Sequence, residues 1–182
     1  MTTNEHTLYF AYGSNLDLVG MQYRAPEATR LSSAQLDDWR LTFRGVADIE
    51  PASGRVVHGA IWLLTEENVL ALDRYEGHPH YYRRQAVTVR NTENDLVEAM
   101  TYVMLPEYQD KEGLPTKHYL QSIIDGYEAF RLPLVPLGLA LQEIREKLVA
   151  PGERPWRSKA KEQTTSGMSP ATKALYALEE AT

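Results

Sequence analysis

The chain has 182 residues, a length that predicts one domain or one domain with an appendage. Its 19 basic and 25 acidic side chains give a net charge of −6 without a visible basic stripe, which argues against a nucleic-acid partner. The absence of cysteine excludes disulfides, thiol nucleophiles, cysteine zinc sites and iron–sulfur clusters, and it fits a reducing cytosol.

The sequence shows no targeting segment and no membrane span. Residues 1–6 are polar and lack the basic and apolar regions of a signal peptide. The longest uncharged apolar stretch, residues 132–141, is about half the length that crosses a bilayer, and it contains two prolines. We therefore expect a cytoplasmic protein with no membrane partner.

The N-terminal part of the chain predicts a strand, a tight turn and a short helix. Residues Thr7–Tyr12 are rich in aromatic side chains and end at Gly13, as a buried strand does before a turn. Asn15 is a candidate N-cap for a helix that runs toward Tyr23, and Pro26 stops this helix.

Two more strands and the clearest helix follow. Trp39–Arg44 and Val56–Leu64 are strand candidates, with a loop or loose hairpin over residues 45–54 between them. Thr65 begins the helix, because it can cap the first turn and the two glutamates after it favour the positive helix start. The helix ends at Glu76, where the following glycine suits a left-handed cap.

The second half of the chain predicts a hairpin followed by helices. Residues Arg83–Arg90 and Leu96–Leu105 flank a polar turn, a pattern that is typical of an antiparallel hairpin. Thr116 caps a helix with one apolar stripe, and a second such stripe covers residues 137–148. Strands followed by helices indicate an α+β fold rather than an alternating doubly wound sheet.

The sequence divides into a domain and a tail. Residues 1–150 form the predicted domain. Residues 151–182 are polar and carry a short amphipathic helix that begins at Ser169. We interpret this tail as an appendage, and its Leu175 and Leu178 are candidates for docking on the domain or on a second subunit.

The turn after the first strand is the first segment that could carry chemistry. A strand that stops at Gly13 and starts a helix leaves backbone N–H groups pointing outward, where they can hold a carboxylate, a phosphate or an oxyanion. The alternative is a simple strand–helix corner in which Ser14 and Asn15 only cap. Ser14 does not fit a nucleophile elbow, because Leu16 stands where that motif requires glycine.

Glu76 is the second candidate. It lies at a helix C-terminus, beside the partial negative charge of the helix dipole, and aromatic residues such as Tyr75 flank it. Both the dipole and desolvation by the rings are expected to raise the pKa of its carboxyl group. A carboxyl group that titrates nearer neutrality can take a proton and return it. The alternative is a solvated glutamate at a helix end.

Two histidines follow Glu76 closely. On a strand, His78 and His80 would place both rings on one face. With Glu76 or His58 they would form a minimal metal ligand set, which permits a metal-dependent hydrolase that uses Glu76 and both histidines. Pro79 and the lack of a second ligand cluster favour an ordinary loop instead, so we predict no metal and no cofactor.

The motifs, taken in order, resemble those of one known family. Residues Tyr9–Leu16, followed later by Leu72-Asp73-x-x-Glu76-Gly77, are similar to the gamma-glutamylcyclotransferase superfamily, which has an AIG2-like fold. Further features agree with it, namely Gly59 in the strand before the glutamate helix, Tyr82-Arg83-Arg84, Pro115-x-x-x-Tyr119 ahead of Gly126, and Leu132-Pro133. The resemblance covers residues 7–148.

The resemblance implies a fold and an activity. The fold is a small, mostly antiparallel β-barrel-like sheet flanked by helices. Enzymes of the family release a gamma-glutamyl group as 5-oxoproline and free the attached amine or amino acid. The substrate brings its own nucleophile, an α-amine, so the chemistry needs a general acid and base but no cofactor. The alternative is a non-catalytic protein that binds a small molecule on the same fold.

The resemblance also implies site residues. Glu76 matches the catalytic glutamate of the family. The residues that match substrate contacts are Tyr12, Gly13, Ser14, Asn15, Leu16, Tyr82 and Tyr119. Tyr81 competes with Tyr82 for its place. The expected partner is a small gamma-glutamyl compound, and its identity, its pathway and the oligomeric state of the chain stay open.

Overall fold

Five strands and four helices make up residues 6–149, the part of the chain that this computed structural model describes. The strands are β1 (Thr7–Ala11), β2 (Thr29–Phe43), β3 (Ala47–Leu64), β4 (Tyr82–Asn91) and β5 (Leu96–Met104). The helices are α1 (Leu18–Arg24), α2 (Glu66–Glu76), α3 (Lys117–Ala129) and α4 (Val135–Leu148). Two short 3-10 turns, Ser14–Leu16 and Pro106–Tyr108, complete the described elements. The predicted α+β class is confirmed.

The five strands form one closed barrel in the order β1-β3-β2-β4-β5. Neighbouring strands are antiparallel except β5 and β1, which close the ring in parallel. The β2–β3 hairpin is the longest pairing and runs from Thr29 opposite Leu63 to Phe43 opposite Ala47. β1 pairs with β3 along its whole length and with β5 at Tyr9, so it lies between these two strands. The implied barrel-like sheet is confirmed.

Of the two alternatives for residues 45–54, a loop or a loose hairpin, the structure shows a hairpin. The turn between β2 and β3 is short, and β3 already begins at Ala47. The register of the pairing jumps between Asp37 and Trp39, where Trp39 faces Pro51. Gly54 lies in the part of β3 opposite this jump, with φ +73°. A bulge therefore accommodates the proline and the glycine inside a strand. From the sequence alone, these two residues suggested a loop.

The prediction of Asn15 as a helix N-cap is wrong. Asp17 caps α1, and its carboxylate accepts hydrogen bonds from the backbone N–H groups of Val19 and Gly20. Asn15 lies one turn earlier, in the 3-10 turn that separates β1 from α1. Because Asp17 provides the cap, the Asn15 side chain is available for a different contact.

The other predicted elements within residues 6–149 are present, although β2 begins at Thr29 and β3 at Ala47, well before the predicted strand starts at Trp39 and Val56. Thr65 and Asn68 form a capping box at the start of α2. Gly77 ends this helix in the left-handed region, with φ +67°, so Glu76 is its last residue. The hairpin of β4 and β5, the helix capped by Thr116 and the helix over the second apolar stripe are all present.

Helix α3 packs on the turn that follows β1. Leu16 in this turn is fully buried, as are Ile123 and Ile124 of α3. Gly126 allows the α3 backbone to approach closely, because a Cβ at this position would lie 2.3 Å from Leu16 Cβ and 2.6 Å from its carbonyl carbon. This close contact holds the turn against α3.

None of the helices within residues 6–149 is long and apolar enough to cross a membrane. The tail over residues 151–182, with its predicted helix from Ser169, lies outside the described residues.

Gly126→Ala is expected to destabilise the protein, although alanine is favoured over glycine in a helix by about 1 kcal/mol. The added methyl group would overlap Leu16, and overpacking of this kind costs about 1–3 kcal/mol. The measurement is the free energy of unfolding in urea. Asp125→Ala, at the exposed neighbouring position, serves as the control for helix propensity. A Gly126→Ala variant as stable as this control would contradict the packing argument.

Candidate active site

A polar pocket of about 280 Å³, counted to include the open space at its mouth, lies between the turn after β1, the end of α2 and the start of α3. Half of the residues that line it are tyrosines. The lining residues are Tyr9, Tyr12, Gly13, Ser14, Asn15, Ala47, Glu76, Tyr82, Tyr102 and Tyr119. The pocket thus collects side chains from widely separated parts of the sequence.

Among the ionisable groups of this pocket, the carboxyl group of Glu76 is the best suited to acid–base chemistry. Although the residue as a whole is only partly buried, its carboxyl group is desolvated, and this desolvation raises its pKa from 4.5 to about 7. A hydrogen bond from Asn15 and the charge of Arg24 act in the opposite direction. Burial is therefore the main cause of the raised pKa that the sequence predicted from the helix dipole and nearby rings.

Asn15 connects the turn after β1 to the end of α2. Its Nδ2 donates to Glu76 Oε1 at 2.7 Å and to the Tyr9 hydroxyl at 2.9 Å. Arg24 Nη1 donates to Asn15 Oδ1 at 2.9 Å and to the Ser14 carbonyl oxygen at 3.1 Å. Because Arg24 has no acceptor atom, it fixes which end of the Asn15 amide faces the carboxylate.

Arg24 is itself held in place by an aromatic ring. Its guanidinium carbon lies 4.0 Å from the centre of the Tyr75 ring, a cation–π arrangement. Tyr75 is 48% exposed and stands at the edge of the site, where its hydroxyl lies 3.4 Å from Ser14 Oγ. Arg24 therefore contacts Asn15 through its hydrogen bond, while the Tyr75 ring covers the guanidinium group of Arg24.

The backbone of the turn offers hydrogen-bond donors to the pocket. Ser14 and Asn15 open a helical turn, so their N–H groups have no acceptor within that turn. Gly13 allows this backbone to lie close to β3, since a Cβ there would approach Ala47 Cβ to 3.1 Å. Such N–H groups are suited to hold a carboxylate or a developing oxyanion.

Two tyrosines anchor the pocket on the backbone of Ala47. Tyr82 Oη donates to the Ala47 carbonyl oxygen at 2.7 Å, and the Ala47 N–H donates to Tyr119 Oη at 3.1 Å. Burial raises the pKa of Tyr119 to about 12 and raises that of Tyr82 further. Both phenols therefore stay protonated at neutral pH.

A buried polar network supports the opposite wall. Tyr12 Oη donates to the Tyr102 carbonyl oxygen at 2.7 Å, and Tyr102 Oη donates to Asp73 Oδ1 at 2.8 Å. Arg84 holds both carboxylate oxygens of Asp73. Burial alone would raise the pKa of Asp73, but the hydrogen bonds from Arg84 and Tyr102 outweigh it and lower the pKa. Asp73 thus remains charged and fixes Tyr102.

The structure brings all the predicted site residues but one together in this pocket. Tyr12, Ser14, Asn15, Glu76 and the other implied contacts all line the pocket, with the exception of Leu16. Leu16 lies beneath the turn, fully buried in the core. Between the two competing tyrosines, Tyr82 lines the pocket, whereas the Tyr81 ring packs against Tyr108 at 4.7 Å.

The histidines do not join Glu76. Among residues 6–149, no three His, Cys, Asp or Glu side chains come together in a way that could hold a metal ion. His78 Nδ1 lies 3.2 Å from the Tyr82 carbonyl oxygen, and His80 is exposed. The ligand set of the metal-hydrolase alternative is therefore not assembled in the described structure.

The pocket also contains residues that sequence reasoning missed. Tyr9, which the sequence placed in the first motif but not among the site residues, lines the pocket together with Ala47 and Tyr102, and Arg24 supports it. Tyr102 and apolar Met104 lie on the same face of β5, because they are two residues apart. A hydroxyl-bearing side chain on a buried face is a signal that could have indicated Tyr102 as a site residue. Arg24 gave no such signal, because a basic residue in the last turn of a helix is common and interacts favourably with the dipole.

Comparison with known proteins identifies relatives of this chain. A family model described as "Gamma-glutamyl cyclotransferase, AIG2-like" matches residues 9–121. A curated gamma-glutamylcyclotransferase of Bos taurus is 32% identical over 143 residues, covering 71% of this chain and 74% of the relative. The gamma-glutamylcyclotransferase of Homo sapiens is 30% identical over 172 residues, covering 87% of this chain and 86% of the relative.

Solved structures share the fold. The crystal structure of an uncharacterized protein from Homo sapiens superposes with a TM-score of 0.64 at 27% identity, covering 82% of this chain and 91% of that chain. A structure named "Gamma-glutamyl cyclotransferase" gives a TM-score of 0.65 at 24% identity, covering 95% of this chain and 99% of that chain. At 24% identity, the similarity to this second structure shows a shared fold.

Glu76→Gln is expected to stabilise the protein more at pH 8 than at pH 5. The pKa of Glu76 rises from 4.5 to about 7 on folding. With respect to this group, the free energy of unfolding is therefore highest below pH 4.5 and is reduced as the pH rises through 7. At 1.36 kcal/mol per pKa unit, ionisation at pH 8 costs about 3 kcal/mol, and glutamine removes this cost while it still accepts from Asn15.

Urea unfolding at both pH values measures this effect. Glu67→Gln, which makes the same substitution at an exposed position of the same helix, is the matched control. A stabilisation by Glu76→Gln that is equal at the two pH values would show that the buried carboxylate is not its cause.

Arg24→Met is expected to raise the pKa of Glu76 above about 7, because it removes a positive charge that now favours the carboxylate. An NMR titration of the side-chain carboxyl carbon measures this pKa directly. Arg74→Met removes an exposed charge from the last turn of α2 and serves as the control. An unchanged titration of Glu76 in Arg24→Met would refute the electrostatic role of Arg24.

Proposed function

The chain belongs to the gamma-glutamyl cyclotransferase, AIG2-like family, and from this premise we propose that it releases 5-oxoproline and a free amine or amino acid from a gamma-glutamyl compound. The observation that carries the proposal is the buried carboxyl group of Glu76, whose pKa of about 7 suits a group that takes up and returns a proton at neutral pH. Its contact with Asn15 puts it beside a turn rich in N–H donors.

The reaction is a ring closure within the substrate. The α-amine attacks the side-chain carbonyl carbon, and the bond to the leaving nitrogen then breaks. At neutral pH most of the α-amine carries an extra proton, since such amines titrate near ~8. Glu76 first removes this proton and so frees the nitrogen lone pair for attack. Because nucleophile and carbonyl belong to one molecule, holding the substrate folded supplies much of the rate.

The proton balance closes with Glu76 alone. Three hydrogens begin on the α-ammonium group, and one of them stays on the ring nitrogen of 5-oxoproline. Glu76 carries the other two in succession to the leaving nitrogen, which departs as an ammonium group. The side chain therefore ends the cycle in its starting ionised state, and no protein nucleophile takes part.

The remaining pocket residues account for substrate binding. The N–H groups of Ser14 and Asn15 hold the α-carboxylate of the gamma-glutamyl group or the oxygen that gains charge at the carbonyl. Tyr82 and Tyr119, both fixed on Ala47, form the polar wall against which the glutamyl chain folds. The buried phenols exclude water, which strengthens each of these hydrogen bonds.

Glu76→Gln is expected to lower the rate of 5-oxoproline release by about 10²–10⁴-fold, because glutamine keeps the shape and the Asn15 contact but cannot accept a proton. The assay follows 5-oxoproline release from gamma-glutamyl amino acids, glutathione and gamma-glutamyl amines. In the parent protein, kcat/KM should rise with pH through a limb near 7, as the carboxyl group ionises.

Glu67→Gln is the matched control for this assay and should retain the parental rate, since Glu67 is exposed and lies outside the pocket. Release at the parental rate by Glu76→Gln would exclude Glu76 as the base. Binding of gamma-glutamyl compounds without turnover of any of them would favour a non-catalytic binding protein instead.

A further inference from the structure

The hydroxyl groups of three pocket tyrosines donate hydrogen bonds within the protein. Tyr12 Oη donates to the Tyr102 carbonyl oxygen, and Tyr82 Oη donates to the Ala47 carbonyl oxygen, each at 2.7 Å. Tyr102 Oη donates to Asp73 at 2.8 Å. A phenol has one proton, so none of these three hydroxyls can donate to a substrate without giving up a structural hydrogen bond.

Tyr119 is also engaged. Its oxygen accepts from the Ala47 N–H at 3.1 Å. The Tyr119 hydroxyl is therefore held on the backbone of Ala47, as the Tyr82 hydroxyl is.

Tyr9 shares a hydrogen-bond partner, Asn15, with Glu76. Its oxygen accepts from Asn15 Nδ2, and it cannot donate back, because Arg24 holds the amide oxygen of Asn15 on the other side. Among the hydrogen bonds within residues 6–149, Tyr9 Oη takes part only as an acceptor, so its proton is uncommitted. Tyr9 is one of the residues that line the pocket.

The same NH₂ group sets the distance between Tyr9 and Glu76. It donates one hydrogen to each of them, at 2.9 Å and 2.7 Å. Since the two hydrogens of a planar amide diverge by about 120°, the two acceptor oxygens lie roughly 5 Å apart. A substrate that enters this gap meets a proton acceptor on one side and a proton donor on the other.

We propose that Tyr9 is a further catalytic residue, whose phenol donates a hydrogen bond to the substrate carbonyl oxygen as that oxygen gains negative charge. The inference rests on the 5-oxoproline-releasing activity proposed above. When the α-nitrogen bonds to the carbonyl carbon, the C=O π electrons move to the oxygen that faces Tyr9. When the carbonyl forms again, the electron pair of the broken C–N bond leaves with the nitrogen, which takes a proton from Glu76. Tyr9 keeps its own proton throughout.

The surroundings of Tyr9 suit a preorganised donor. The residue is 3% exposed, and its ring packs edge-to-face against Tyr102 with the ring centres 5.7 Å apart. Burial also raises the pKa of its phenol well above 10, so the hydroxyl is protonated throughout the pH range of an assay. A donor held in advance needs little rearrangement when charge develops next to it.

The experiment compares Tyr9→Phe with the parent protein in the 5-oxoproline assay over pH 5–9. Loss of one preorganised donor is expected to lower kcat by about 10²–10³-fold with little change in KM. The limb of the pH profile near 7 should not move, because the ionisation of Glu76 is unaffected by a donor that acts on the substrate. Tyr127→Phe, at a buried tyrosine outside the pocket lining, should match the parent in activity.

Two outcomes would overturn the proposal. An unchanged kcat in Tyr9→Phe excludes the phenol as a catalytic donor. A lower kcat that comes with a shifted pH limb shows instead that Tyr9 acts through Asn15 and Glu76, as a positioning residue. The proposed function fails separately, if the parent protein itself releases no 5-oxoproline from any gamma-glutamyl compound.

A second replacement covers the case in which Tyr9→Phe does not fold. 3-Fluorotyrosine at position 9 keeps the ring and the hydroxyl but makes the phenol a stronger hydrogen-bond donor. The donor role requires a higher kcat at pH 7 in this protein, and an unchanged or lower kcat contradicts it.

Discussion

The hydrogen bond from Asn15 to Glu76 is the contact on which the rest of the pocket depends. It joins the turn after β1 to the last residue of α2, two segments that are 61 positions apart in the chain. The same amide group reaches Tyr9, and Arg24 fixes its orientation from behind. One planar side chain thus sets the relative positions of the ionisable group, a phenol and a basic residue.

The barrel makes this contact possible by burying a carboxyl group near polar partners. Burial alone disfavours the charged form of Glu76, and Asn15 and Arg24 offset only part of that effect. A surface glutamate would be more stable as an anion but would be a poor proton carrier at neutral pH. The fold therefore carries a local instability at the position where the proposed proton transfer would take place.

Local sequence patterns predicted much of the fold because their causes are local. The capping box at Thr65 and the left-handed Gly77 define α2 from neighbouring residues alone, and they place Glu76 at its end. The same reasoning left residues 45–54 open between a loop and a loose hairpin, because the bulge that accommodates Pro51 depends on the pairing of β3 with β2. Local rules also gave Asn15 a capping role, which Asp17 fills in the structure.

The sequence by itself determined the α+β class, a turn at Gly13 and a carboxyl group at the end of a capped helix. Only the tertiary structure decided that Tyr9 faces the pocket, that Arg24 orients Asn15, and that burial is the main cause of the raised pKa of Glu76. The physical reason is that desolvation and side-chain hydrogen bonds depend on which distant segments pack together. Closure of the barrel and the close approach of α3 settle that packing, and neither is written in a local pattern.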